Sequence, residues 1–183
     1  MKKLLFIFIG LAFLVSCSDD KKEAGGMSEK AKKNLETNQA VTKMFEQGDW
    51  SKAADYIDKD AVDHGAGPTG GDIVGIDSIM ANFNMMGEMM ENFKVKVIKE
   101  FADDDYVMSW VEQSATAKMD IPEWGMKKGL ESTYNTIEVS KFKDSKITDH
   151  WNFMTMADMM KMMGGGGQQP PMDTQPVKDP TSK

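Results

Sequence analysis

The sequence predicts an α+β domain in which helices come first and a run of antiparallel strands follows. Between residues 28 and 92 apolar side chains recur at helical spacing, whereas from Phe93 to Met156 they alternate with polar ones. Those are the two periods that separate a helix stripe from a strand face. The second stretch is also divided by turn-forming clusters, Asp103-Asp104-Asp105, Pro122 to Gly125 and Asp144-Ser145, placed where hairpins need them. Helices grouped ahead of strands segregate onto one face of a sheet. A curved sheet wrapped around them leaves an open concave end of the kind that holds ligands.

The elements follow in chain order. Ser28 is a candidate N-cap for a helix whose apolar face is Ala31, Leu35, Val41 and Phe45, and Gly48 ends it. Asp49 opens a second helix, with Trp50, Ala53, Ala54 and Ile57 at i, i+3, i+4 and i+7. Residues 65–71 form a glycine-rich loop around Pro68, and a third helix covers 76–92 with the stripe Ile76, Ile79, Met80, Phe83, Gly87 and Met90. The strands are 93–101, with Phe93, Val95 and Val97 alternating against lysines, then 106–119, 129–143 and 146–156. A short helix from Ala157 to Met163 closes a domain spanning 28–164. Residues 165–183, rich in proline and glutamine without apolar periodicity, read as a disordered tail.

Composition narrows the function classes. The net charge is −7, and every basic residue is a lysine. An acidic chain repels nucleic acid and anionic membrane surfaces, and without arginine there is no bidentate clamp for phosphate. A nucleic-acid partner is therefore not expected. Cys17 is the single cysteine, which rules out an intramolecular disulfide and a cysteine-ligated metal cluster.

The N-terminus carries an address. Lys2 and Lys3 precede an apolar run from Leu4 to Val15, too short to span a bilayer, which closes on Leu14-Val15-Ser16-Cys17. The segment resembles the signal of bacterial lipoproteins. That resemblance implies that residues 1–16 are removed, that Cys17 is lipidated, and that residues 17–27 tether the domain to outer-membrane lipid. Removal takes away two lysines and no acid, moving the charge from −7 to −9. Ser18-Asp19-Asp20 is similar to the export tag of surface lipoproteins of the Bacteroidetes, although such residues also suit a solvated tether. An ordinary secretory signal with an incidental cysteine is the alternative.

Several stretches together resemble the SnoaL-like polyketide cyclase branch of the nuclear transport factor 2 superfamily. They are Gly48-Asp49-Trp50, Asp60-Ala61-Val62-Asp63-His64, Gly75-Ile76-Asp77-Ser78-Ile79, Trp110, and Lys146-Ile147-Thr148-Asp149-His150-Trp151-Asn152 followed by Met159 to Gly164. The resemblance covers residues 30–164. It implies a cone-shaped, curved sheet with a mostly apolar pocket, in a group that holds cofactor-free enzymes, binding domains and dimers. Its enzymes commonly place an aspartate late in the closing strand, where this chain has Asn152 and Thr155. Neither exchanges a proton near neutral pH as a carboxylate does.

The chain has two histidines, each directly after an aspartate: Asp63-His64 and Asp149-His150. Sequence neighbours on a strand point to opposite faces, so Asp63 does not orient His64, and the closing strand puts Asp149, Trp151 and Phe153 on one face and His150, Asn152 and Met154 on the other. Which set lines the pocket is left open. Catalytic candidates are His64, His150 and Asp149, and a structural hydrogen bond is the more ordinary role for such a histidine. Two histidines fall short of a zinc site, so no metal or cofactor is expected. Ligand-binding candidates are Trp110, Trp124, Tyr134, Trp151, Asn152, Met86 and Met90; Trp110 and Trp151 also suit a core, and Trp124 a pocket rim. The paired methionines, such as Met85-Met86 and Met162-Met163, suit adaptable apolar packing better than copper(I). The leading expectation is a lipid-anchored module binding a small apolar ligand. The alternatives are a cofactor-free acid/base enzyme and a homodimerising module that uses the outer face of the sheet.

Overall fold

The structure, a computed structural model, describes residues 26–67, 70–122 and 125–163. Cys17 with the segment before it, Trp124, and the tail from residue 164 lie outside the described residues.

Helix α1 (Glu29–Gln47) starts where the Ser28 hydroxyl accepts the Ala31 N–H and stops at Gly48, whose φ of 63° is the left-handed conformation. Its packed face is partly polar, because α1 is fastened to the strands by hydrogen bonds as well as by apolar contact. Asn34 Nδ2 donates to the Asp103 and Asp104 carbonyls at 3.4 and 3.0 Å. Thr37 Oγ1 donates to the Ser145 carbonyl at 3.1 Å. Buried Asn38 donates to Ser109 Oγ at 3.1 Å and accepts from Ser140 Oγ at 2.9 Å.

The second helix, α2 (Ala53–Tyr56), is one turn long, and at Ile57 the chain extends into β1 (Ile57–His64). Then come β2 (Ile73–Val74), α3 (Ile76–Met89), β3 (Met90–Ala102), β4 (Tyr106–Ala117), β5 (Glu131–Lys143), β6 (Lys146–Phe153) and α4 (Met156–Met162). One sheet contains all six strands in the order β2-β1-β6-β5-β4-β3. The run β3 to β6 is antiparallel, as its alternation predicts, and the Asp144-Ser145 turn takes positive φ at both residues (51° and 61°), which matches strand twist in a two-residue hairpin. The terminal strands do not meet, so the sheet is unclosed.

Two additions lie outside the sequence expectation. β1 pairs with β6 in parallel and with the short β2 in antiparallel fashion. β1 escapes the apolar pattern because its buried positions are Ile57, Ala61 and Asp63, a face with one large apolar side chain. Helix α3 ends at Met89 rather than residue 92, and Asn92 takes φ 57° where the β3·β4 register shifts. Glu46 of α1 accepts the backbone N–H of Val95, on β3, at 2.7 Å.

The sheet's two faces differ sharply. Inward positions of β4 and β5 are buried, including Val107, Val111, Tyr134 and Phe142. Outward, β4 and its neighbours align Phe101 with Met108, and Trp110 with Ile137 and Phe153. These side chains are 61, 44, 49, 42 and 56% exposed. Trp110 therefore belongs to an open outer patch and not to the core.

Asn38 links the helix layer to two strands. Asn38→Ala strands buried hydroxyls and is expected to cost about 2 kcal/mol, read as a lower urea midpoint with an unchanged slope.

Candidate active site

A cavity of about 790 Å³ opens between the inner face of the sheet and the helices, within the size range of small-molecule sites. Its polar floor comes from the strands and its apolar walls from α1, α3 and α4. The walls include Phe45, Trp50 and Phe83, with Met86 from α3 and Met154, Met159, Met162 and Met163 at the other end. Trp50 stacks on Phe83 with centroids 4.8 Å apart, and Phe45 meets both edge-on. α4 is held in place by its cap. Thr155 Oγ1 accepts the Asp158 N–H at 3.1 Å, and the hydrogen bonds from Thr155 and Lys161 hold the Asp158 carboxyl down at about 2.

The floor follows from strand register. In the parallel β1·β6 pair Asp63 lies beside His150, and neighbouring residues on paired strands share a face. Asp63 Oδ1 is 2.8 Å from His150 Nδ1. With the Nδ1 proton directed at the carboxylate, Nε2 is the nitrogen left to a ligand, and among the described residues it has no hydrogen-bond partner. Antiparallel β5 brings Ser140 opposite His150 and Glu138 opposite Asn152. Gln113 Nε2 donates to Glu138 Oε1 and, at 3.2 Å, to Thr136 Oγ1, while the Tyr134 hydroxyl donates to Gln113 Oε1 at 3.2 Å. Asn152 Nδ2 reaches Glu138 Oε1 at a long 3.5 Å.

These groups shift one another. Burial disfavours a charged His150, but the Asp63 hydrogen bond and the charges of Asp63 and Glu138 outweigh it, so its pKa lies above the ordinary imidazole value. The side chain is 27% exposed, and that surface faces the cavity it lines. Burial raises the Glu138 carboxyl, with the charge of Asp63 adding to it and the positive His150 and the Gln113 amide opposing. Burial and Glu138 push the Tyr134 phenol up to about 12.

The second Asp-His pairing is crossed in the same way. His64 Nε2 lies 3.1 Å from Asp149 Oδ1 and Nδ1 lies 3.1 Å from Asp72 Oδ2, while the ring stacks on Trp151 at 4.5 Å and 7°. The hydrogen bond to Asp149, foremost, and Asp72 raise the His64 pKa against desolvation. Burial alone would raise Asp149, but His64, Thr148 and Lys141 together bring it below its usual range. His64 reaches the rim of the cavity with both ring nitrogens occupied.

The structure thus brings His64, His150, Tyr134, Asn152 and Met86 to the cavity. It places Asp149 and Trp151 against His64 and Trp110 on the outer face. Met90 lies in a core cluster with Ala115, Ala117, Ile121 and Met126, and Trp124 is outside the described residues. Asp63 as the orienting carboxylate, Glu138 and Gln113 were not anticipated. For Glu138 a signal existed: counting by twos from Tyr134 along β5 puts Thr136, Glu138 and Ser140 on the same face. Among the described residues no three His, Cys, Asp or Glu side chains converge as metal donors.

The family model described as SnoaL-like polyketide cyclase matches residues 35–163. The chain belongs to the SnoaL-like family. Three solved structures share the SnoaL-like fold. IdmH of Streptomyces antibioticus is 19% identical, with a TM-score of 0.61, covering 72% of this chain and 98% of its own. An LEH-like epoxide hydrolase of M. tuberculosis is 15% identical, with a TM-score of 0.61, covering 74% and 88%. A SnoaL-like polyketide cyclase of Agrobacterium tumefaciens is 9% identical, with a TM-score of 0.59, covering 72% and 98%. No curated protein matches the chain. In this SnoaL-like domain the residue across the ladder from the amide Asn152 is a carboxylate, Glu138.

Both histidines titrate above the ordinary imidazole value. The stability their carboxylate partners contribute is fully present below about pH 6.5 and is lost as pH rises through the folded-state values. The urea midpoint is expected to fall between pH 6.5 and 8.5, and to fall less in His64→Ala. A midpoint that stays level over that range contradicts the assignment.

Proposed function

We propose that this domain is a cofactor-free acid/base catalyst acting on a small, mostly apolar organic molecule. Asp63 orients His150, and His150 Nε2 takes or returns the proton. Glu138, the only other carboxyl on the inner floor besides Asp63 among the described residues, is the acid that complements it. The observation that carries this reading is the 2.8 Å Asp63–His150 contact on the floor of an apolar cavity. A pocket that only holds an apolar ligand needs walls of methionine and aromatic rings. It has no use for an oriented imidazole with an unpartnered nitrogen and a largely buried acid on the adjacent strand. Family membership supports the reading to the level of cyclase-like and hydrolase-like relatives.

The test uses a general probe of base catalysis in apolar sites, the ring opening of 5-nitrobenzisoxazole. The wild-type rate is expected to rise with pH through the raised pKa of His150, since the neutral imidazole is the base. His150→Ala is expected to lower the rate by about 100-fold or more, and Asp63→Asn to lower it while the probe still binds. A His150→Ala rate equal to wild type removes the catalytic reading and leaves the binding module.

We also propose two features of context. Cys17 is lipidated and tethers the domain to the outer membrane, supported by the signal-like residues 1–17. Cys17→Ser is expected to lose palmitate incorporation and move to the soluble fraction. Two copies pair through the outer sheet face, supported by the exposed row of Phe101, Trp110, Ile137 and Phe153, an apolar patch of the kind that marks association. Trp110→Glu is then expected to shift a dimer to a monomer in light scattering.

A further inference from the structure

We propose that the molecule this cavity accepts is an organic cation, an apolar framework bearing an amine. The inference rests on the cavity being a substrate site, and it adds the charge of the substrate.

The charged groups of the floor are the first reason. Among the described residues no lysine lines the cavity, and the chain contains no arginine. A carboxylate, phosphate or sulfate would therefore meet no permanent counter-charge, and its desolvation would go uncompensated. The anionic groups available are the carboxylate of Asp63, which is 5% exposed, and Glu138, which becomes charged when it gives up the proton it holds as an acid. The positive groups are the imidazolium of His150 beside them and that of His64 at the rim, already paired with Asp149 and Asp72, and the charge of each is a removable proton.

The walls are the second reason. Phe45, Trp50 and Phe83 line one side of the cavity as a packed aromatic cluster, and a cation close to such rings is stabilised electrostatically. The thioethers of Met86, Met159 and Met162 are soft and polarisable. Outside the cavity, the net charge of −7 draws cations toward the domain and repels anions.

Binding then carries a defined proton balance. The amine enters as an ammonium and donates toward Asp63 or Glu138. One proton held by the Asp63–His150–Glu138 group leaves to solvent, so the charge of the floor plus ligand is unchanged. No covalent bond is made or broken. Tyr134, with its pKa at about 12, keeps its proton throughout. Losing the shared proton leaves His150 neutral and Glu138 ionised, so for an amine substrate Nε2 both takes and returns the proton while Glu138 holds the ammonium.

Three probes with one ring system isolate the charge: 1-naphthylmethylamine, 1-naphthylmethanol and 1-naphthoate, titrated into the full-length protein at pH 7 by calorimetry. The amine is expected to bind about tenfold or more tighter than the alcohol, with 1-naphthoate the weakest. Amine binding in buffers of different ionisation heat should show proton release, absent with the alcohol. Glu138→Gln and Asp63→Asn should each shrink the amine-to-alcohol ratio, and the wild-type ranking stands without either variant. If the alcohol or the naphthoate binds as tightly as the amine, the charge assignment is overturned while acid/base catalysis by His150 survives. If none of the three binds, the cavity as a substrate site falls, and this inference with it.

Discussion

The parallel pairing of β1 with β6 places Asp63 beside His150 and His64 beside Trp151, and that register decides which titratable groups of this chain meet. Both strands carry the dipeptide Asp-His, so the pairing crosses them. The aspartate of β1 serves the histidine of β6 on the inner face, and the aspartate of β6 serves the histidine of β1 at the rim. A slip of one residue would turn every side chain of β1 to the other face, leaving Asp63 outside and His150 without its carboxylate. The antiparallel ladder then carries the same inner row onward to Ser140, and the next row from Asn152 to Glu138.

Burying such a floor requires that its polar groups find partners, and the interior shows how that is met. Gln113 joins Tyr134, Thr136 and Glu138 into one hydrogen-bonded set. Asn38 does the same for Ser109 and Ser140. Buried polar networks of this kind fix geometry as well as contribute stability, which suits a site where an imidazole must face one way. The walls follow a different rule. Methionines on α3 and α4 line the cavity with flexible, unbranched side chains. The domain joins a rigid polar end to a compliant apolar one.

Much of the architecture was legible in the sequence because it was written in periodicity. The caps Ser28 and Gly48, the strands β3 to β6 and the two-residue turn at Asp144-Ser145 all follow from local pattern and turn chemistry. β1 was not legible, since a strand whose inner face is Ile57, Ala61 and Asp63 has almost no apolar signal. Missing β1 hid the parallel pairing, and with it the carboxylate of His150. The rule that neighbours point apart correctly kept Asp63 from His64, but the true partner lies 87 positions away. Trp110 misled for a related reason. Large aromatic residues on strands are usually covered, and alternation alone cannot tell which of two apolar faces is the inner one.

β3 is a long strand at the end of the sheet, and among the described residues one side of its backbone has no partner strand. Such a free side is a template for a second chain. Here Lys94, Lys96 and Lys99 stud the strand, its ladder register breaks twice, and Glu46 occupies the Val95 N–H. An incoming strand would have to displace a carboxylate and pair across an irregular, lysine-studded rim. The consequence is colloidal: the edge offers little purchase to an added strand, so crowding by itself does not favour strand-by-strand assembly.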